Sequence, residues 1–163
     1  MKKTLPYRPA AAIMLLNADN RVFVAQRIDT TLEAWQMPQG GLDPDEEPEA
    51  GALRELEEET GIPAHLVRIL AKAPEVLFYD LPHDLKGKIW GGRYRGQAQH
   101  WFVARFLGID DDIDLNTPEP EFRAWKWAEP GELVDLIVPF KRELYAQVVD
   151  VFADHWQGGE AGR

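Results

Sequence analysis

Three glutamates in one short stretch have the spacing needed to act together on a cation. Glu55, Glu58 and Glu59 lie three and four residues apart, so they share one face if the stretch is helical. Like charges on one helix face repel one another. The face is therefore either a solvated acidic surface or a site for a hard cation such as Mg²⁺, Mn²⁺ or Ca²⁺, which prefers carboxylate oxygens.

The residues around these glutamates predict a loop that leads into a helix. Gly40 and Gly41 permit a tight bend, and Pro48 suits the first helical position after the capping residue Glu47. Gly61 supplies a left-handed residue that ends the helix. The apolar side of this predicted helix consists of Ala50, Leu53 and Leu56.

The spacing across the whole stretch resembles the Nudix box, the signature of the Nudix hydrolases. The box reads glycine, five residues, glutamate, seven residues, and then Arg-Glu-apolar-x-Glu-Glu-x-Gly-apolar. The matching positions are Gly40, Glu46, Arg54, Glu55, Leu56, Glu58, Glu59, Gly61 and Ile62. On this match the chain is identified as a member of the Nudix hydrolases.

The resemblance implies hydrolysis of a pyrophosphate linkage between a nucleoside diphosphate and another group. It also implies Mg²⁺ or Mn²⁺ as cofactor, in more than one ion, with Glu55, Glu58 and Glu59 as ligands and a backbone carbonyl at or beside Gly40 completing the shell. Without cations, a polyphosphate would be repelled by this acidic face. One of these glutamates, or a later one, orients or deprotonates the attacking water, and the choice among them stays open.

Two further box residues, Arg54 and Glu46, are expected to pair structurally rather than to touch substrate. The fork of an arginine matches the geometry of a carboxylate, so the pair would lock the loop onto the helix. Glu57, at a variable position of the box, is expected to be solvated.

Outside the box, the chain resembles one branch of the family, the RNA pyrophosphohydrolases and the related diadenosine polyphosphate hydrolases. The segment 88–95 is similar to the diadenosine tetraphosphate hydrolases in particular. The stretches that carry the branch resemblance are 7–9, 35–41, 96–102, 120–122 and 140–142.

This branch resemblance implies roles for several single residues. Glu121 matches an additional metal ligand or base, although an exposed acid at a strand edge is the alternative. Arg8, Arg27 and Lys141 match positions that contact phosphates or the first nucleotides, and their alternative is ordinary surface charge.

Aromatic and basic residues supply further candidates for substrate binding. Tyr79 and Phe140 are candidates to stack a base. On general grounds we expect Phe140 to pack in the core and Tyr79 to be partly exposed. The irregular segment 81–95 is expected to clamp distal phosphates through Lys86, Lys88, Arg93 and Arg95.

Composition limits the partners that the protein takes. The chain has 163 residues, no cysteine and a formal net charge of −10. We expect a single domain with its core in residues 7–157, a frayed tail after Trp156, and a reducing, cytoplasmic location. The acidic charge argues against DNA or membrane as a partner, so an anionic substrate must be held by metal ions and a few placed basic residues.

The order of predicted elements indicates an α+β protein with the Nudix fold, an α/β/α sandwich around a central mixed β-sheet. Helices are predicted after Pro48, near 132–137 and over 141–156, with a short helical turn at 63–66. Strands are predicted at 10–17, 21–27, 67–71, 75–79, 99–106 and 122–127.

Two hypotheses follow from the box and the branch. The first is an enzyme that removes pyrophosphate from the 5′-triphosphate end of RNA, splits diadenosine tetraphosphate into ATP and AMP, or does both. Housecleaning hydrolysis of nucleoside triphosphates is its alternative, and sugar-nucleotide hydrolysis is a weaker one. The second is a binding module that holds nucleotide or RNA without turnover; such modules usually lose box carboxylates, whereas this chain keeps them all.

Overall fold

The computed structural model describes residues 5–157 and contains one mixed seven-stranded sheet. Its strands run in the order β4-β6-β1-β2-β7, with β3 paired to β1 and β5 paired to β6. β1 and β6 are parallel, and the other pairs are antiparallel. The strands are β1 Tyr7–Leu16, β2 Val22–Arg27, β3 Gln39–Gly41, β4 Val67–Lys72, β5 Leu77–Asp80, β6 Gly96–Phe106 and β7 Phe122–Ala128.

The central strand β1 has two buried faces, which gives the molecule its layers. Ala12, Met14 and Leu16 face one core cluster, whereas Ile13 and Leu15 face the other. Strand side chains alternate between faces, so a continuous apolar run is buried only when both faces are covered. The covering helices are α1 Pro48–Thr60, α2 Leu133–Leu136, α3 Arg142–Val151 and α4 Ala153–Trp156.

α1 covers one face of the sheet, and α3 covers the other. Ala52 and Leu56 of α1 belong to the cluster that contains Ile13, while Leu144 and Val148 of α3 belong to the opposite cluster. The arrangement is the predicted α/β/α sandwich with a mixed sheet, and the predicted fold class is confirmed.

Local signals set both ends of α1. Pro48 occupies the first turn after Glu47, whose side chain makes no capping hydrogen bond. Gly61 adopts φ 73° and donates its N–H to the carbonyl of Glu57, a left-handed ending that favours glycine. The helix therefore holds its acidic residues at a fixed position relative to β3.

The structure differs from the predicted elements in several places. β1 begins at Tyr7 and β6 at Gly96, both earlier than predicted, because the two strands pair in parallel from Tyr7↔Gly96 onward. β3 was not predicted as a strand; its three residues pair with β1. The predicted helix 141–156 is divided at Phe152, whose buried ring and non-helical backbone separate α3 from α4.

The tail after Trp156, which we expect to be frayed, lies outside the described residues from residue 158 onward. Within residues 5–157, no helix has the length and apolar character required to cross a bilayer.

Candidate active site

The three glutamates of α1 differ strongly in exposure although they share one helix face. Glu59 is buried, with 1% of its surface accessible. The side chain of Glu55 is 13% exposed and that of Glu58 is 56% exposed. The face therefore runs from the protein interior to solvent, which is not the uniformly solvated surface of an ordinary acidic helix.

Glu59 lies at the buried end of this face beside Glu121. The backbone N–H of Gln39 donates to a carboxylate oxygen of Glu59 at 3.1 Å. Burial raises the pKa of Glu59 well above its usual range, and the negative charge of Glu121 and contact with it add to the rise. Glu121, just before β7, is thus brought from a distant part of the sequence to the acids of α1.

Gly40 of β3 lies against the half-buried Glu55. A side chain at this position would overlap the carboxyl group of Glu55, so a larger residue would fit only if that flexible side chain moved away. Burial raises the pKa of Glu55, whereas the charge of Arg54 lowers it. The structure thus brings Gly40 and the four glutamates of the predicted site into one region.

Arg54 connects the loop to the acidic face. Its Nε and Nη2 atoms donate to the two carboxylate oxygens of Glu46 at 2.7 and 2.8 Å, and Nη2 also donates to the carbonyl of Gly41 at 3.0 Å. Its Nη1 atom donates at 3.0 Å to an oxygen of Glu55 and to an oxygen of Glu58. The guanidinium therefore fixes the loop and also balances the negative charge of two predicted metal ligands, Glu55 and Glu58.

A buried glutamine network supports the strand that holds Glu59, and sequence analysis did not identify it. Gln99 donates to the side chains of Gln97 and Gln39 at 2.7 and 3.3 Å, and it accepts from the indole N–H of Trp101 at 2.8 Å. Gln97 and Gln99 are each 1% exposed. The sequence feature that could have predicted the network is the alternation of Gln97 and Gln99 along a strand that is otherwise rich in core residues.

On the other face of the sheet, Lys141 packs against two aromatic residues. The Lys141 ammonium lies 4.8 Å from the ring centroid of Tyr79, and the rings of Tyr79 and Phe140 are 5.9 Å apart. Burial and the nearby charge of Arg27 lower the pKa of Lys141 to about 8, while Glu59 opposes this change. Tyr79 and Phe140 also line a cavity of about 370 Å³.

Tyr79 is more buried than we expected, whereas Phe140 packs against the core as expected but is only partly buried. Tyr79 is 7% exposed and Phe140 is half-buried. β5 pairs with β6 through Tyr79↔Gln97, which turns the tyrosine into the core, whereas Phe140 lies on a short turn before α3. Burial raises the pKa of Tyr79, and the charges of Arg8 and Arg27 oppose the rise.

Arg27 is half-buried near the acids but is already paired. Its Nε and Nη2 atoms donate to both carboxylate oxygens of Asp29 at 2.8 and 2.6 Å. Glu121 and Glu59 contribute negative charge at Arg27 as well. Asp29 was not among the predicted site residues. The only sequence feature that indicates this ion pair is the position of Asp29 two residues after Arg27.

The remaining predicted substrate residues lie on the segment 81–95 and the start of β1. Arg8 packs over Gly41, and its guanidinium is 5.3 Å from the ring centroid of Trp90. Arg95 is bound by Asp80 at 2.7 Å and holds the segment to the end of β5. Lys88 is exposed and lines neither the Tyr79 cavity nor the cleft beside Arg8.

The chemistry of the acidic residues fits a hard divalent cation. Among residues 5–157, no group of three or more His, Cys, Asp or Glu side chains is arranged to hold a metal ion. The contacts of Arg54 explain this, because Nη1 draws Glu55 and Glu58 toward the guanidinium. The carboxylates nevertheless provide the oxygen ligands that such ions prefer. They are buried, they repel one another, and they lie beside Gly40 and Gly41, which have no side chains to fill the space.

Comparison with known proteins gives the family. The NUDIX domain model matches residues 6–148. A protein of Sphingopyxis alaskensis named RNA pyrophosphohydrolase is 60% identical, over 91% of this chain and 94% of its own length. One of Zymomonas mobilis with the same name is 57% identical, over 91% of this chain and 96% of its own length.

Solved structures show the same fold at low sequence identity. A Caenorhabditis elegans Ap4A hydrolase binary complex has a TM-score of 0.65 and 22% identity, covering 90% of this chain and 98% of that one. The Escherichia coli dihydroneopterin triphosphate pyrophosphohydrolase has a TM-score of 0.69 and 20% identity, covering 91% and 99%. By its domain match and its close relatives, the chain belongs to the Nudix family.

Proposed function

We propose that this protein is a pyrophosphohydrolase that removes pyrophosphate from the 5′ end of triphosphorylated RNA. The observation that carries the proposal is that acidic and basic side chains lie close together beside the sheet. The buried Glu59 and the half-buried Glu121 both contribute negative charge at Arg27, and Glu59 does the same at Lys141. Relatives at 52–60% identity named RNA pyrophosphohydrolase support the choice of substrate.

The cofactor in this proposal is Mg²⁺ or Mn²⁺, in more than one ion. Glu55, Glu58, Glu59 and Glu121 would hold the ions, together with the backbone carbonyl at or beside Gly40. When bound, such ions neutralise phosphate charge and lower the pKa of a bound water. Glu58 must turn away from Arg54 to take part, and its exposed side chain has the freedom to do so.

The other residues bind and orient the substrate. Lys141 and Arg27 supply positive charge to the phosphates, and Arg27 must exchange Asp29 for a phosphate oxygen. The half-buried ring of Phe140, which packs against Tyr79, offers a face on which a base can stack. One of the four glutamates accepts the proton of the attacking water.

Product analysis tests the proposal directly. The purified protein, with Mg²⁺ and then with Mn²⁺, is given triphosphorylated RNA, and the released pyrophosphate and the monophosphorylated RNA are measured. Glu58→Gln should lose most turnover while keeping the thermal unfolding midpoint, because an exposed amide packs like the acid but binds a cation poorly. Glu57→Gln, one residue away and exposed, is the matched control.

Three results would contradict the proposal. If Glu58→Gln hydrolyses RNA at the native rate, the acidic face does not carry the reaction. If free nucleoside triphosphates are hydrolysed far faster than triphosphorylated RNA, the protein is a housecleaning pyrophosphatase instead. Binding of RNA by the native protein without any product would indicate a binding module.

A further inference from the structure

Arg8 lacks the kind of partner that holds three other arginines of the predicted site. Those three are each paired with a carboxylate at 2.6 or 2.7 Å: Arg27 with Asp29, Arg54 with Glu46 and Arg95 with Asp80. In the part of the chain that the structure describes, no carboxylate forms an ion pair with the Arg8 guanidinium. A phosphate can therefore bind Arg8 without displacing an acid.

Packing, rather than an ion pair, holds the Arg8 guanidinium in place. Its central carbon lies over the ring of Trp90, 5.3 Å from the ring centroid, which is within the range of a cation–π contact. The guanidinium also packs directly on Gly41, which has no side chain to displace it. The face of a ring attracts a cation without taking up its hydrogen-bond donors, so the N–H groups of Arg8 remain available to a phosphate.

Arg8 is one of three basic residues around Tyr79. Burial raises the pKa of Tyr79, and the positive charges of Arg8 and Arg27 are close enough to oppose the rise. The ammonium of Lys141 lies 4.8 Å from the Tyr79 ring centroid. Arg8 and Tyr79 both register with Gln97 of β6, so they lie on the two strands that flank it. The three residues predicted to contact phosphates thus lie around one tyrosine.

The ring of Trp90 reaches Arg8 at a cost in backbone conformation. Trp90 adopts φ 53°, a left-handed value that is unfavourable for a bulky side chain. Gly91 and Gly92 follow with φ 66° and 72°, so the three residues make a sharp turn. Residues in such conformations persist only where the surrounding structure holds them, and they cluster at functional sites. The strain therefore indicates a function for the position of this ring.

The surroundings of Trp90 fix its ring relative to β1. The ring of Tyr94 meets the Trp90 ring nearly at a right angle, at 6.2 Å and 76°. Trp90 also packs against the core cluster on this face of the sheet. The end of the segment 81–95 is tied to the start of β1, because the backbone N–H of Arg95 donates to the carbonyl of Pro6 at 2.9 Å. The ring therefore has a defined place beside the strand that carries Arg8.

From these observations we infer that Trp90 is a positioning residue, whose ring holds the Arg8 guanidinium ready for a substrate phosphate and leaves its hydrogen-bond donors free. The inference rests on the proposed function, in which basic side chains bind the phosphates beside the acidic face. An arginine that is already ordered loses less conformational freedom when a phosphate binds to it. Trp90 thus raises the affinity for the phosphate chain through Arg8, without contacting the substrate itself.

A double-mutant cycle on binding tests this role. With Mg²⁺ present, calorimetry measures the affinity for a triphosphorylated RNA dinucleotide whose phosphates are joined by methylene bridges and resist hydrolysis. Trp90→Leu keeps apolar bulk but has no ring face, and it should weaken binding about fivefold. Trp90→Phe keeps a ring face at the same left-handed position and should stay within about twofold of the wild type. Arg8→Gln should also weaken binding, and in that background Trp90→Leu should cause no further loss.

The role of Trp90 is overturned if Trp90→Leu and Trp90→Phe bind alike, or if Arg8→Gln binds as tightly as the wild type. It is also overturned if Trp90→Leu weakens binding fully in the Arg8→Gln background, because Trp90 then contacts the ligand itself. Thermal unfolding shows whether each variant is folded, and Trp90→Asn, which accepts a left-handed backbone, replaces Trp90→Leu in the cycle if the leucine variant is not. The expected binding pattern in a protein that does not hydrolyse triphosphorylated RNA would contradict the proposed function and support the role of Trp90.

Discussion

Glu46→Gln tests whether the loop before α1 is held by a charged clamp. Glu46 accepts two hydrogen bonds from Arg54 and a third, at 2.9 Å, from the backbone N–H of Asp43. An amide in place of the carboxylate accepts at only one atom and carries no charge. We therefore expect a loss of stability without a change of fold.

The pKa of Glu46 sets the size of the expected effect. The Arg54 guanidinium, with help from the Asp43 N–H, lowers this pKa from 4.5 to about 2. That fall corresponds to about 3 kcal/mol of preference for the ionised form in the folded state. Because the loop is open to solvent, screening reduces the expected loss to about 1–2 kcal/mol.

The sign of the pH dependence makes the test specific. An acid whose pKa is lowered on folding contributes its full stability above pH 4.5, and the contribution is lost as the pH falls toward 2. Urea unfolding at pH 7 should show the full difference between Glu46→Gln and the wild type, and the difference should shrink below pH 4.5. Glu57→Gln, exposed on the same helix, is the control. If both variants unfold alike at pH 7, the clamp contributes nothing and the reasoning fails.

Three further predictions concern residues on the other face of the sheet. Since Lys141 has a pKa of about 8, binding of a nucleoside polyphosphate should weaken as the pH rises through 8. In Lys141→Arg the same loss of affinity should occur at a higher pH, because arginine keeps its proton. If the affinity of neither protein changes with pH, the role of Lys141 is contradicted. Folding stability should meanwhile rise between about pH 8 and 10.5, because the unfolded chain binds this proton more tightly. The buried hydroxyl of Tyr145 accepts the N–H of Met37 at 2.8 Å, so Tyr145→Phe should lower the free energy of unfolding by about 1–3 kcal/mol, measured by urea denaturation. A smaller loss than that of an exposed control, Gln147→Ala, would contradict this account.

The sequence predicts α1 and its flanks well because their signals are local. Pro48 and Gly61 act on the backbone within one turn, and the spacing of the glutamates becomes a face as soon as the helix forms. The pairing of Arg54 with Glu46 spans only eight residues and follows from the shape of the two side chains. These features need no knowledge of the sheet.

The rest of the site depends on pairings between distant strands, which a single sequence does not encode in any local pattern. Tyr79 is buried because β5 joins β6, and Glu121 meets Glu59 only through the order of the sheet. Arg27 matched a phosphate-binding position, yet its guanidinium is taken by Asp29 in the structure. Several nearby carboxylates compete for one guanidinium, and the spacing of residues in the sequence does not predict which of them binds it.

The geometry of Arg54 explains how one protein can hold an acidic face before any cation binds to it. Two of its nitrogens, Nε and Nη2, hold Glu46 and the carbonyl of Gly41, and Nη1 alone reaches Glu55 and Glu58. Binding of a cation by Glu55 and Glu58 would therefore release only Nη1 and would leave the clamp on the loop intact. A lysine offers a single point charge and would have to give up either the loop or the acids. Folding and metal binding can thus share one guanidinium because its planar fork divides the two tasks among separate atoms.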